Sequence, residues 1–324
     1  MSRSPGRPPL GPADRAAAAE ALGASGAATW WGSRRRGSAV AAALVNGTAA
    51  HALDWDDDPG CCHIGAVVIP AAIAEAETRG ASGPELADRD LRRLRRDDAR
   101  QRRHRPRPAS TRRATTRPRC AASSAPLAAV GRLMRLSARE LADAIGIAGS
   151  FSAGNMEFLS GGAMTKRVQA GKAASDGVLA AHLASKGFTG PHTILEGPYG
   201  VWRYTESRRI ERFTADLGRR YAVGEVHFKK HASCLAMAAA LDGALDLARE
   251  HRLRASDIAA IRVGLCPTGH SQVGEPHDPN APPPAVMAAQ IEPPRCLAIG
   301  PHRRHGGRGP VCPRRDCRIP TSSP

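Results

Sequence analysis

Aromatic residues are scarce in this chain of 324 residues: five Phe, three Tyr and four Trp, 4% of the total. A core must therefore be assembled from Ala, Leu, Val and Ile. No continuous apolar run reaches the length needed to cross a bilayer, and Met1–Pro9 has no apolar centre of a signal peptide, so a cytoplasmic protein is expected. The eight cysteines include no CxxC spacing, and only Cys61 and Cys62 are adjacent, which points to reduced thiols and not to a disulfide framework. No nucleotide fingerprint, complete metal set or Ser-His-Asp signature is present, so no cofactor and no metal are expected.

Acidic residues are also in deficit, and the net charge is +17. Its location decides what it means. Residues 89–119 hold 14 Arg against Asp90, Asp97 and Asp98; residues 295–324 hold seven Arg against Asp316. These two windows account for the whole net charge, and the remainder is close to neutral. A basic belt alone would indicate an RNA or DNA partner with steep salt dependence. The belt lacks interleaved aromatics, so nucleic acid ranks last among the readings.

What remains is largely helical in pattern. A helix is expected at Ala13–Leu22, another from Ser38 as N-cap toward the acids at 54–58, and a third from His63 to Thr78 with Pro70 kinking it or marking its first turn. Residues 89–119 bury too little to order themselves. Beyond Leu127 the capping box Ser137-Ala-Arg-Glu140 opens a helix, and a further helix is expected over Gly171–Ser185. Residues 186–215 read as a connection anchored by Phe188, Tyr199, Trp202, Tyr204 and Phe213. Val223–Phe228 as a strand, Cys234–His251 as a helix and Ile258–Leu265 as a strand make a small α+β unit. The expected fold is mainly α: a large all-helical domain (1–84 and 126–215) and a smaller, incomplete α+β domain (216–290). Residues 85–125 and 291–324 are expected to be disordered.

Three segments carry candidate chemistry. The first is Ala42–Asp58 with His63, where a small-residue helix runs into acids. Asp54 falls three residues after His51, on one face if the helix continues, and a carboxylate beside an imidazole suits proton transfer. A solvated acidic loop is the competing reading. A zinc site from Asp58, Cys61, Cys62 and His63 lacks a second ligand cluster. The second is Gly161–Ala174, a glycine-flanked loop entering a helix with Lys166, Arg167 and Lys172. It offers backbone N–H groups and cations to an anion, although no P-loop spacing is present. The third is Phe228–Cys234, where Lys229, Lys230 and His231 precede a helix; Cys234 reads as a buried structural thiol. Together these suit a small polycarboxylate held by cations, with a proton moved next to a carboxylate.

The segments Ala43–Asp57 with His63, Ala148-Gly-Ser through Met156-Glu-Phe-Leu, Thr165-Lys-Arg, Ala170–Ala174, Gly187–Pro191 and Leu195-Glu-Gly197 resemble the MmgE/PrpD family. The resemblance covers residues 38–83 and 127–270. It implies a helical domain with a smaller α+β domain, homodimerisation, and metal-free lyase or isomerase chemistry of the 2-methylcitrate dehydratase or cis-aconitate decarboxylase kind. By position it implies Asp54 and His63 as catalytic residues and Lys166 and Lys229 as substrate-binding lysines; Arg167, next to Lys166 in the cationic loop, is expected to help hold carboxylates. Asp58 stands at a substrate-contact position where the family has Thr. The Arg belt replaces a His-Pro-Thr-like segment, Ile291–Arg295 replaces Phe-Ser-Leu-Pro-Tyr, and the family's N-terminal helices and C-terminal part are not found. Both basic windows read as out-of-frame translations of GC-rich codons, which makes a truncated, inactive family member the alternative to an active enzyme. Reading the coding DNA for an apolar helix and a His-Pro-Thr-like motif across codons 85–125 decides between them.

Overall fold

The computed structural model describes residues 25–58, 63–86, 124–152, 154–155, 157–158, 163–200, 226–254, 257–266 and 269–274. The helix expected at Ala13–Leu22, the Arg belt, Trp202, Tyr204, Phe213 and the basic tail lie outside these residues. The described fold is mainly helical. The chain divides into two units. The first takes the described residues within Met1–Ala52, Asp56–Met156 and Thr165–Phe228; the second takes those within Leu53–Trp55, Glu157–Met164 and Lys229–Pro324.

In the first unit, β1 (Ala28–Thr29) and β2 (Arg36–Gly37) form a short antiparallel pair ahead of α1 (Ala39–Ala50). Ser38 caps α1 as expected, its hydroxyl accepting from Ala41 N at 3.2 Å. Asn46 is fully buried in α1 and fastens the hairpin, accepting from Trp31 N (2.9 Å) and donating to Thr29 O (2.8 Å). β3 (Asp57–Asp58) pairs with β4 (His227–Phe228), and α2 (Ile64–Arg79) follows β3. Pro70 lies inside α2, not in its first turn, and Gly80 ends the helix in the left-handed region at φ 64°. α3 (Gly83–Leu86), α4 (Leu127–Leu133), α5 (Ala138–Phe151) and α6 (Thr165–Ser185) complete this unit. The expected capping box opens α5: Ser137 N donates to Glu140 Oε2 at 2.7 Å and Glu140 N to Ser137 Oγ at 3.3 Å.

The core is dominated by alanine, including Ala41, Ala42, Ala43, Ala71, Ala74, Ala148, Ala174 and Ala180. Such small side chains let helix backbones approach closely. Gly171 of α6 faces α1 so tightly that a Cβ there would fall on Leu44 O and Thr48 Oγ1. Gly47 faces α2: a Cβ there would come within 3.1 Å of Ala66 O, the carbonyl four residues before Pro70 that a proline cannot bond.

One buried ion cluster joins two of these helices. Glu75 of α2 is fully buried; its Oε2 lies 2.8 Å from His182 Nε2 of α6, and its Oε1 accepts from Arg79 Nε at 2.6 Å. Burial alone would raise the carboxyl pKa, but the bonds from His182 and Arg79 outweigh it and leave it below the ordinary 4.5. A depressed carboxyl pKa stabilises the fold above the unfolded value and loses that contribution as pH falls through the folded one. The stability difference between wild type and Glu75→Gln, from urea unfolding at a series of pH values, is therefore expected to be constant near neutrality and to shrink below about pH 4.5.

Residues 186–200 are held differently from expectation. Phe188 and Tyr199 are not anchors: they are 61% and 91% exposed. Polar contacts to α5 hold the segment instead, through Gly190 N to Asp143 Oδ1 (3.1 Å) and His192 Nε2 at 3.0 Å from the same oxygen.

In the second unit, a 3₁₀ turn (Leu235–Met237) leads into α7 (Ala238–Glu250). Met237, Leu241 and Val273 form its buried cluster. The strand expected at Ile258–Leu265 is not formed: these residues adopt neither helix nor strand, and Ile261 and Val263 are 47% and 37% exposed. Alternation describes a half-buried strand only where a neighbouring strand supplies the ladder, and among the described residues none does.

Candidate active site

Asp54, Asp56 and Asp57 are not part of a solvated acidic loop. Asp54 and Asp57 are 1% and 5% exposed, and the Asp56 side chain 9%. Helix α1 ends at Ala50, with His51 as its C-cap, and Asp54 then takes a left-handed φ of 51°. That turn breaks the expected alignment of His51 with Asp54 on one helical face. Asp tolerates this region better than most residues.

In the first unit His51 meets Asp56 instead. His51 Nδ1 lies 3.0 Å from Asp56 Oδ2, and His63 Nδ1 contacts the same oxygen at 3.0 Å. The two rings are 4.0 Å apart between centroids and tilted by 43°. Burial foremost, then the neighbouring His63 and Lys166, lower the His51 pKa to about 4 against the pull of Asp56. His51 is therefore neutral at pH 7. For Asp56, burial opposes ionisation, but the two imidazoles outweigh it and hold the carboxyl well below its usual range.

Asp57 has a separate task. His63 occupies the N-cap position of α2 without a side-chain cap bond, and Asp57 supplies the cap from upstream. Its carboxylate accepts from Gly65 N through Oδ1 (2.9 Å) and Oδ2 (3.1 Å), and a Cβ on Gly65 would collide with it. This fixes where α2 begins, and so where His63 stands. Asp58 lies in β3 beside His227 of β4.

The second candidate segment also differs from the loop expected. α6 starts at Thr165, six residues before Gly171, so Lys166 and Arg167 sit in its first turn. Lys166 is half-buried, while Arg167 is buried to 1%. Lys172 pairs with Asp176 one turn on.

In the second unit Asp54 and Lys229 form a buried ion pair. Lys229 Nζ donates to Asp54 Oδ1 at 2.6 Å and to Asp54 O at 3.1 Å, and the Trp55 indole donates to Lys229 O at 2.7 Å. The side chains are 3% (Lys229) and 1% (Asp54) exposed. Lys230 and His231 turn to Asp242 of α7, at 2.6 and 2.9 Å. Cys234, expected to be buried, is half-buried with its Sγ 3.8 Å from Gln272 Oε1.

Asp56 and Asp57 do not stand out as site residues in the sequence, and His51 stands out there beside Asp54 and not beside Asp56. The available signal was the acid run itself, in which neighbours take different partners. Two imidazoles and a carboxylate are also the donor types a divalent ion accepts. His51 Nδ1 and Asp56 Oδ2 are hydrogen-bonded at 3.0 Å, and the two rings account for the depressed Asp56 carboxyl.

A helical unit with a buried carboxylate–imidazole cluster and cations in a helix's first turn defines a class of acid–base site. The MmgE/PrpD N-terminal domain model matches residues 10–91 and 107–212, more than half of the chain, and the chain belongs to that family. The match starts well before Ser38, and the break at 92–106 coincides with the densest part of the Arg belt. Lys229 lies outside it. Two curated relatives are similar: cis-aconitate decarboxylase of Aspergillus terreus (strain NIH 2624 / FGSC A1156), 30% identical over 159 residues, and a cis-aconitate decarboxylase of Aspergillus terreus, 29% identical over 159 residues. Each match covers 45% of this chain and 32% of the relative, so the matched stretch spans about a third of these relatives' length. Among the described residues, no helix is long and apolar enough to cross a membrane.

Proposed function

We propose that this chain is a lyase or isomerase acting on a small polycarboxylate, with His63 or Asp54 transferring a proton at a carbon next to a carboxylate and Lys166, Arg167 and Lys229 binding carboxylates. Asp58 is proposed as a further substrate contact. The observation that carries this reading is the convergence of His51 and His63 on one buried carboxylate, near the positive charge of Lys166. An imidazole beside a carboxylate suits proton transfer, and a cation close by favours an anionic ligand. The similarity to cis-aconitate decarboxylases supports a tricarboxylate of that kind as the first substrate to try.

The test is to incubate the purified chain with cis-aconitate, 2-methylcitrate and related acids and to follow their consumption by NMR. Turnover is expected to fall roughly 10²–10⁴-fold in His63→Gln with the melting curve preserved. A folded sample without turnover rules the reading out for those acids. The break in the family match across the Arg belt favours the second reading, an inactive family member; that reading predicts no turnover and a non-cooperative melt.

A further inference from the structure

We infer that Asp54 and Trp55 are positioning residues for Lys229: together they hold the lysine at both ends, and Asp54 serves there as an anchor and not as a proton carrier. The inference rests on the proposed role of Lys229 in binding a substrate carboxylate, and it leaves His63 to move the proton.

All three residues of the clamp belong to the second unit. Lys229 directly follows β4 and lies in neither helix nor strand, so no regular hydrogen-bond ladder fixes it. Two adjacent residues fix it instead. Lys229 Nζ donates to Asp54 Oδ1 (2.6 Å) and to Asp54 O (3.1 Å), and the Trp55 indole N–H donates to the Lys229 carbonyl at 2.7 Å. The tip of the side chain and the main chain are thus tied to one dipeptide. A lysine has a long flexible stem and would otherwise spread its charge over a wide volume. The left-handed φ of 51° at Asp54 gives the grip its shape, with the carboxylate and the carbonyl of one residue both reaching the same ammonium.

Trp55 is 47% exposed, so core packing does not account for its place. Its polar edge is the part in use, through the one donor an indole has. Asp54 is the opposite case: it is 1% exposed, with an ammonium on its Oδ1. Protonating that carboxylate would leave a buried ammonium without its counter-charge, a penalty that a working acid–base group would meet in every turnover. His63 stands beside the Asp56 carboxylate, so a proton gained there is matched by a negative charge. When a ligand carboxylate takes the place of Asp54 Oδ1, the bond to Asp54 O and the indole bond to the backbone still hold Lys229, and the ammonium stays in position for the ligand.

The test uses the full-length chain labelled with ¹⁵N-lysine; its five lysines keep the spectrum simple. A buried, hydrogen-bonded ammonium exchanges its protons with water slowly enough to give a ¹H–¹⁵Nζ signal, and Lys229→Arg identifies the signal that belongs to Lys229. Wild type is expected to show it. Asp54→Ala is expected to abolish it, and Trp55→Phe, which keeps a ring and removes the donor, to speed its exchange several-fold. A wild-type Lys229 without a slowly exchanging signal, or one whose exchange is unchanged in Trp55→Phe, overturns the inference. Neither result needs an Asp54 variant, so a misfolded Asp54→Ala does not rescue it.

A turnover arm with cis-aconitate separates this inference from the reading beneath it. Trp55→Phe is expected to raise KM about 2–10-fold, the loss expected for one neutral hydrogen bond, with kcat nearly constant. Asp54→Asn, whose amide oxygen still accepts from Nζ, is expected to act mainly on KM. A roughly 10²–10⁴-fold fall in kcat of a folded Asp54→Asn at constant KM makes Asp54 the proton carrier and overturns the inference. An unchanged KM in Trp55→Phe overturns it as well. Absence of turnover in wild type, with the Lys229 signal present and responding as stated, removes the enzymatic reading and leaves the clamp standing.

Discussion

Replacing Lys229 with methionine is expected to destabilise the protein by about 3–5 kcal/mol, the range found when one partner of a buried ion pair is removed. The stem of methionine fills similar space, so packing changes little. What changes is that the Asp54 carboxylate, 1% exposed, loses the ammonium at 2.6 Å and its burial goes uncompensated. The measurement is the urea midpoint of unfolding, with the slope checked for constancy. Asp54→Asn is the matching single change, and Asn keeps the left-handed φ of 51° accessible. The double variant should be more stable than the sum of the two single effects, because neither charge is then stranded. A Lys229→Met midpoint equal to wild type would show that the pair carries none of the stability. The same pair bears on function: if Lys229 binds a substrate carboxylate, the ligand must draw the ammonium from Asp54, and substrate binding should weaken when Asp54 is kept and Lys229 removed.

The second large effect is expected from Gly171→Ala. A methyl group ordinarily favours a helix by about 1 kcal/mol over glycine. Here it would land on Leu44 O and Thr48 Oγ1, and the backbone of α1 cannot move aside without disturbing Asn46 and the hairpin it fastens. Overpacking of this kind costs about 1–3 kcal/mol, sometimes more, and should lower the melting temperature. Gly83→Ala is the control: among the described residues nothing lies within 4 Å of a Cβ there, so the melt should be unchanged or slightly improved. A neutral Gly171→Ala would mean that α1 and α6 do not approach as closely as described.

Helix caps were the most legible part of this fold. Ser38 and the Ser137/Glu140 box act within one turn, so a short window holds all the information. The start of α6 was misplaced because Thr165–Ala170 has a polar surface in sequence, while the structure buries Arg167 among helices. Residues 258–265 failed for the converse reason: their alternation is local, but a strand needs a distant partner. At the site, Asp54 and His63 stood out as an acid and an imidazole close in sequence. Their partners did not. The left-handed turn at Asp54 sends one carboxylate to Lys229 and leaves Asp56 for the histidines, and no periodicity encodes that division.

The second unit draws Leu53–Trp55 from far upstream of its remaining residues. Asp54 and Lys229 are 175 positions apart in the chain. At a translation rate of about 5–20 residues per second, Asp54 is synthesised roughly 9–35 s before the lysine that neutralises it exists. During that interval the three-residue segment has no native place to go, and a slow, non-local closure must follow the quicker docking of α1 and α2. Ribosome-bound chains halted with Lys229 still inside the exit tunnel and with Lys229 well beyond it should therefore differ sharply in protease resistance around Trp55, and little around Ala71.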